Sequence, residues 1–328
     1  MKIKLLMVSS MLLASCNQTM KHDSKETVAT TNGTTDKINN PKSKPKVSFT
    51  FDDGITTDLA TFEFEEWNQM ILDALDEAEL NSTFFATGSN KLDEKGISLL
   101  ESWSNKGHQI ANHTFTHPYF NSDKKTVADF EEELLKTDSV ISKYSTFSKL
   151  FRFPYLKEGS TEEKVLGFRE ILKKHGYKNG HVTIDASDWY VNSELIKCID
   201  EEGINSPKTA KYKEFYLQHI LERATYYEQL SFELTGRHID HTLLLHHNLT
   251  SALFLPDLIQ RFKDEGWELV DSRRAFTDEV YNYVPDITPA GESLIWAMAK
   301  ETGIYEEKLR YPAEDSRYEK PKMGKLGL

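Results

Sequence analysis

Cysteine is nearly missing from this chain of 328 residues: Cys16 and Cys198 are the only two. A disulfide framework needs more. A lone thiol such as Cys198 reads as a small buried side chain rather than as a nucleophile. Basic residues are outnumbered, with 40 Lys and Arg against 52 Asp and Glu, for a formal net charge of −12. A phosphate footprint needs a basic surface, so nucleic acid is excluded as the main partner. An apolar run able to cross a bilayer as a permanent helix is also lacking, since that takes about 20 residues. What is present is a hydrophobic fraction of 38% over a length that suits one large domain or two modest ones. Aromatic rings are well supplied, and each can serve a core or a sugar-binding surface.

The N-terminus reads as an address. Residues 1–15 combine a basic start, Lys2 and Lys4, with a short apolar run from Leu5 to Leu13. The run ends in Leu13-Ala14-Ser15-Cys16, which resembles the lipobox of bacterial lipoproteins. The resemblance implies cleavage before Cys16, lipidation of its thiol, export, and anchorage to a bacterial membrane on the periplasmic or cell-surface side. Residues 16–45 are polar and charged, with too little apolar surface to order themselves, and read as a flexible tether.

Beyond the tether, β-type and helical periodicities alternate. Val47-Ser48-Phe49-Thr50-Phe51 reads as a strand, followed by a helix over 64–79 and a second strand over 82–87. A helix over 97–106 stops at Gly107, a strand runs over 109–112, and a helix covers 126–142. Strands are expected near 149–153, 181–184 and 242–245, with helices at 162–175 and 252–265. This alternation predicts an α/β fold of parallel strands joined by crossover helices. In such folds the C-terminal strand ends build the site. Residues 190–241 form an insertion. Within it Tyr216, Leu217, Ile220, Leu221, Ala224 and Tyr227 recur at helical spacing, so a long helix packed on the barrel side is expected. Residues 277–328 form a C-terminal extension with one helix at 290–301 and a charged, loosely ordered end.

The reactive residues fall just after predicted strands. Asp52-Asp53-Gly54 places two adjacent carboxylates that cannot point the same way, so one can bind a metal while the other stays free as a base. In His113-Thr114-Phe115-Thr116-His117, two imidazoles four residues apart lie on one side of a helical turn and can reach one ion. Two His and one Asp leave coordination positions open, as catalytic metals require. Arg152-Phe153-Pro154-Tyr155 supplies a guanidinium able to hold a carboxylate ionised. Asp185-Ala186-Ser187-Asp188-Trp189 and Leu243-Leu244-Leu245-His246-His247 bring further carboxylates and a histidine at a strand end. Strand alternation points His246 and His247 to opposite faces, and His246 directly follows the apolar run.

Taken in order, these five motifs resemble those of the polysaccharide deacetylases, the NodB-homology domain of carbohydrate esterase family four, over residues 46–276. The resemblance implies a distorted (β/α) barrel, here with the helical insertion 190–241 and the C-terminal extension. It implies one divalent metal ion, usually zinc, on Asp53, His113 and His117. Asp52 would be the catalytic base, oriented by Arg152, and His246 the general acid, tuned by Asp188. Tyr155 would donate its backbone N–H to the oxyanion, while Trp189 and Leu244 line the pocket for the acetyl methyl group. The implied activity is hydrolytic removal of acetyl groups from a polysaccharide, foremost N-deacetylation of an amino-sugar polymer. O-acetyl esterase action on xylan or another decorated glycan uses the same chemistry. A non-catalytic carbohydrate-binding lipoprotein would have lost Asp52 or a metal ligand, and all are present. Metabolic labelling with a radioactive fatty acid is expected to mark the wild-type protein and not Cys16→Ser; label on the variant would overturn the anchor.

Overall fold

Alternation along the first strand decides what the barrel interior contains. A computed structural model describes residues 44–310 and 314–328, all within one compact unit. The expected signal peptide, Cys16 and most of the tether lie outside the described residues. In β1 (Lys46–Asp53), Val47, Phe49 and Phe51 enter the hydrophobic core. Successive side chains point to opposite faces, so Ser48, Thr50 and Asp52 share the other face. There the hydroxyls of Ser48 and Thr50 donate to the carbonyls of His241 and Leu243, at 3.0 and 2.9 Å. Buried polar groups must find partners, and this face is built from them.

The first half of the chain alternates as expected: α1 (Phe64–Glu77), β2 (Thr83–Ala86), α2 (Glu94–Asn105), β3 (Gln109–Asn112), α3 (Val127–Ile141) and β4 (Phe147–Phe151). Each helix buries one apolar stripe, as Trp67, Ile71, Leu72 and Leu75 of α1 show. Trp103 of α2 stacks on Phe84, with ring centroids 4.6 Å apart, and meets Phe51 edge-on at 5.3 Å. Next come β5 (Lys157–Gly159), α4 (Glu162–Lys174) and β6 (Lys178–Asn179). After these follow α5 (Asp188–Glu202), α6 (Pro207–Thr235), β7 (Asp240–His246), α7 (Leu249–Asp264), β8 (Glu268–Leu269) and α8 (Ser272–Ala275). The chain finishes with β9 (Ala290–Gly291), α9 (Leu294–Thr302) and α10 (Ser316–Lys325).

The main sheet is parallel, in the order β6-β4-β3-β2-β1-β7, with β8 beside the start of β1. Its two ends are joined by residues 180–184. Gly180 N–H donates to the Phe151 carbonyl at 2.7 Å, and four residues on Ile184 pairs with Leu243 of β7. One extended segment therefore closes the curl, which makes the barrel distorted. The expected strand over 181–184 is correspondingly reduced to β6 at 178–179 and a single bridge at Ile184. The segment spans a gap instead of pairing along its length.

Three further expectations are corrected. The long helix expected within 190–241 is present as α6, but a second helix, α5, precedes it, because Gly203 and Pro207 interrupt the periodicity between them. The helix expected at 290–301 starts at Leu294, since residues 290–291 pair with β5 as a small antiparallel sheet. The charged C-terminus is ordered as α10, which buries Glu319 and Met323. Cys198 is a free, buried residue of α5, as expected.

Gly54, immediately after β1, has φ +83°, and a Cβ there would sit 2.5 Å from Phe84 Cζ and 2.8 Å from Lys91 Cε. Both the dihedral and the space require glycine. Gly54→Ala is expected to destabilise the fold by roughly 1–3 kcal/mol, read from the urea midpoint at unchanged m-value.

Candidate active site

The strand ends of β1, β3, β4 and β7 converge, and Asp52 is their meeting point. Its Oδ1 accepts from Arg152 Nη1 at 2.6 Å. The same Nη1 donates to Thr50 Oγ1 at 2.9 Å, and Arg152 Nε donates to the Gly180 carbonyl at 2.9 Å. The guanidinium lies 3.7 Å over the Phe85 ring and is 1% exposed. A buried cation so held keeps its partner carboxylate oriented.

Asp53 turns away from Asp52, with φ 78°. That left-handed backbone is uncommon for a non-glycine residue. It is held by donors to its carbonyl: Thr87 N–H at 3.1 Å, Thr87 Oγ1 at 2.9 Å and Lys91 Nζ at 3.2 Å. Lys91 also donates to the Gly54 carbonyl at 2.6 Å and is 1% exposed. Burial pushes its ammonium down to about 7, against the opposing pull of the Asp53 charge. Sequence reading missed Lys91, because Ser89-Asn90-Lys91 looks like ordinary polar surface.

His113 continues from β3. Its Nδ1 lies 2.8 Å from the Arg152 carbonyl, which fixes the proton there and leaves the Nε2 lone pair free. Nε2 of His113 is 3.6 Å, and Nε2 of His117 3.4 Å, from Asp53 Oδ1. That oxygen is buried and has no hydrogen-bond partner among the described residues. One ligand atom from each of Asp53, His113 and His117 falls within 4.8 Å of the others. An orphaned carboxylate oxygen facing two imidazole nitrogens fits a cation with nitrogen and oxygen ligands.

The expected helical turn at 113–117 is not formed. Thr114 and His117 have φ 66° and 56°, and the segment is a loop held from behind. Glu133 Oε2 accepts from the Phe115 and Thr116 N–H groups at 2.9 and 2.6 Å, and Asn112 Oδ1 accepts from Thr114 N–H at 3.0 Å. Glu133 and Asn112 therefore set the approach of His117, and nothing in their sequence context marks them.

Opposite, His246 ends β7. Its Nδ1 is 2.6 Å from Asp188 Oδ1, and its backbone N–H donates to Asp188 Oδ2 at 2.8 Å. Burial works against a charged ring, but the Asp188 carboxylate outweighs it and lifts His246 to about 10. His247 points the other way, as alternation requires. It lies 4.3 Å from the Trp67 ring with Nε2 3.0 Å from Asn68 Oδ1, and burial drives it neutral.

Asp52, Asp53, His113, His117 and His246 line a cavity of about 540 Å³ together with Trp189, Leu244 and the exposed ring of Tyr155. The structure thus brings together every site residue expected of the barrel. It adds Asp185, whose carboxyl is pushed up to about 8 by burial and by Glu314 and Glu292. It also adds Lys157, Glu292, Glu314 and Asp315 as lining residues. The last three come from the C-terminal extension.

A two-histidine, one-aspartate cluster beside a buried Asp–Arg pair and a carboxylate-backed histidine, at one end of a parallel barrel, is an arrangement suited to hydrolysis. Residues 39–180 match the family model for polysaccharide deacetylase. It is 34% identical over 116 residues to a peptidoglycan-N-acetylglucosamine deacetylase of Bacillus cereus, covering 35% of this chain and 38% of that one. It is 28% identical over 188 residues to the peptidoglycan-N-acetylmuramic acid deacetylase PdaA of Bacillus subtilis, covering 57% and 64%. A family 4 carbohydrate esterase from Streptomyces lividans aligns in structure with a TM-score of 0.46 and 21% identity, over 69% of this chain and 91% of that one. The chain spans well under two thirds of the length of the first curated relatives.

Asp188→Asn removes the charge that keeps His246 protonated. The folded-state value should then fall from about 10 toward or below the ordinary histidine value of about 6.5. The alkaline limb of the pH–rate profile for acetate release should move down correspondingly; an unmoved limb would show that His246 is not the titrating group.

Proposed function

We propose that this chain is a hydrolase that removes N-acetyl groups from an amino-sugar polymer of the peptidoglycan or chitin type. The observation that carries the reading is the convergence of Asp52, held by Arg152 at 2.6 Å, and His246, held by Asp188 at 2.6 Å, around the Asp53, His113 and His117 cluster. The relatives named as peptidoglycan deacetylases support the polymer class.

Asp53, His113 and His117 would hold one divalent cation, zinc by the nature of the donors. Such an ion supplies Lewis-acid polarisation of an acyl oxygen and lowers the pKa of water. Asp52 takes the proton from the attacking water. Arg152 occupies one side of its carboxylate, so Oδ2, which lies 3.7 Å from His113 Nε2, is the oxygen turned to the reaction. The backbone N–H of Tyr155, whose φ is 57°, would donate to the developing oxyanion. An amine leaves poorly as an anion, so it must be protonated as the C–N bond breaks. His246 does this from Nε2, because its Nδ1 proton is engaged by Asp188. Leu244 and Trp189 enclose the acetyl methyl group, and Trp189 and Tyr155, 43% and 56% exposed, offer rings for sugar faces. A lipid on Cys16 would place this pocket at a membrane surface beside cell-envelope glycan.

Acetate release from a panel of N- and O-acetylated glycans is the test. The wild type should release acetate from N-acetylated amino-sugar oligomers in preference to acetylated xylan. Asp52→Asn should retain metal, by elemental analysis, while turnover falls by roughly 10²–10⁴-fold; normal turnover would overturn the base assignment. His113→Ala should lose both.

A further inference from the structure

The C-terminal extension reaches the pocket through a close backbone approach. Glu292 N–H donates to the Leu156 carbonyl at 2.8 Å, and β9 pairs with β5 at Lys157↔Gly291 and Gly159↔Ala290. A Cβ on Gly291 would sit 2.1 Å from the Leu156 oxygen, so only glycine permits the approach. It delivers the Glu292 carboxylate onto the Lys157 ammonium, and the two form an ion pair with side chains 12% and 18% exposed.

The pairing matters because of what else lines the cavity. Among its described lining residues, Lys157 carries the one ammonium or guanidinium group. Besides the catalytic Asp52 and Asp53, the lining includes Asp185, Glu292, Glu314 and Asp315. Two arginines serve Glu314 from outside: Arg223 of α6 pairs with its Oε1, and Arg310 Nη1 lies 2.7 Å from its Oε2. Asp315 pairs with Arg317 at 3.1 Å and caps α10. Every cation within reach is therefore already committed to a carboxylate of the protein. A carboxylate brought by the substrate finds no uncommitted cation there, and an unpaired charge in a partly desolvated pocket is a strong device for rejection.

We propose that Glu292 is a specificity-determining residue: by holding Lys157 in an ion pair it makes the pocket select acetylated amino sugars that lack a carboxylate, such as N-acetylglucosamine units, over units that carry one beside the acetamide, such as N-acetylmuramic acid. This rests on the deacetylase reading above and deepens it. Glu292→Gln keeps the shape and hydrogen bonding of the side chain but frees the ammonium for a substrate carboxylate.

The experiment compares kcat/KM of the full chain for acetate release from N-acetylglucosamine oligomers and from N-acetylmuramic-acid-containing glycan oligomers. The wild type should favour the neutral substrate by about tenfold or more, the scale of discrimination a modest difference in contacts supplies. In Glu292→Gln the ratio should shift toward the acidic substrate by about tenfold, and the shift should fade as ionic strength rises. Lys157→Met added to Glu292→Gln should restore the original preference, which a merely structural role for Glu292 would not produce. Equal wild-type rates on the two substrates, or a ratio that Glu292→Gln leaves in place, would overturn this proposal alone. Absence of acetate from both glycans would overturn the deacetylase reading and this proposal with it.

Discussion

One buried guanidinium ties the barrel interior together. Arg152 leaves the end of β4, crosses the interior, and bonds to Asp52 and Thr50 of β1 and to the Gly180 carbonyl on the closing segment. Its plane rests on Phe85 of β2, while its own carbonyl orients His113 beyond β3. Charge in such a place is costly unless fully partnered, and removing one member of a buried pair typically costs about 3–5 kcal/mol. The same contacts that hold Arg152 set the Asp52 carboxylate and the His113 imidazole. Stability of the interior and geometry of the site are thus one problem with one solution.

Around this tie the site is assembled from strained loops. Asp53, Thr114, His117, Tyr155, Leu156 and Ser187 all have positive φ, and none is glycine. Such conformations cost free energy locally and persist only where neighbours over-determine them. Thr87 and Lys91 do so for Asp53, and Glu133 and Asn112 do so for the His113–His117 loop. Short turns with positive φ let side chains at consecutive strand ends face one point, which a regular helix or strand would not.

The two segments that interrupt or follow the barrel act as one support. α6 packs along α5 and α9, sends His219 to the Ala186 carbonyl at 2.6 Å, and sends Arg223 to Glu314. Thus the loop that carries Asp185 and Asp188 is braced from outside, and the acidic wall is held in place by the same helix. Burial raises Asp185 to about 8, so this member of the wall is mostly protonated near neutrality.

Several features were already legible in the order of residues. Period-two apolar alternation in Val47-Ser48-Phe49-Thr50-Phe51 and helical spacing in Trp67, Ile71 and Leu75 reflect which face meets the core, a local property. Alternation likewise separated His246 from His247, now seen on the pocket and in the core. The five motifs stood at strand ends, and their family resemblance supplied the grouping. Lys91, Asn112 and Glu133 carry no such pattern, because their work is to satisfy backbone groups of loops distant in sequence. The loop at 113–117 was misread as helical because spacing cannot report a carboxylate that captures two of its N–H groups. The part of the C-terminal extension in the pocket was not legible, because Lys157 and Glu292, 135 residues apart, meet only through the β5–β9 pairing. By itself the sequence determined the chemistry-bearing residues and the alternation of strand and helix, since both depend on side-chain type and local period. Only the tertiary structure decided which carboxylates hold the cations around the pocket, because ion pairing depends on distances that chain folding alone creates.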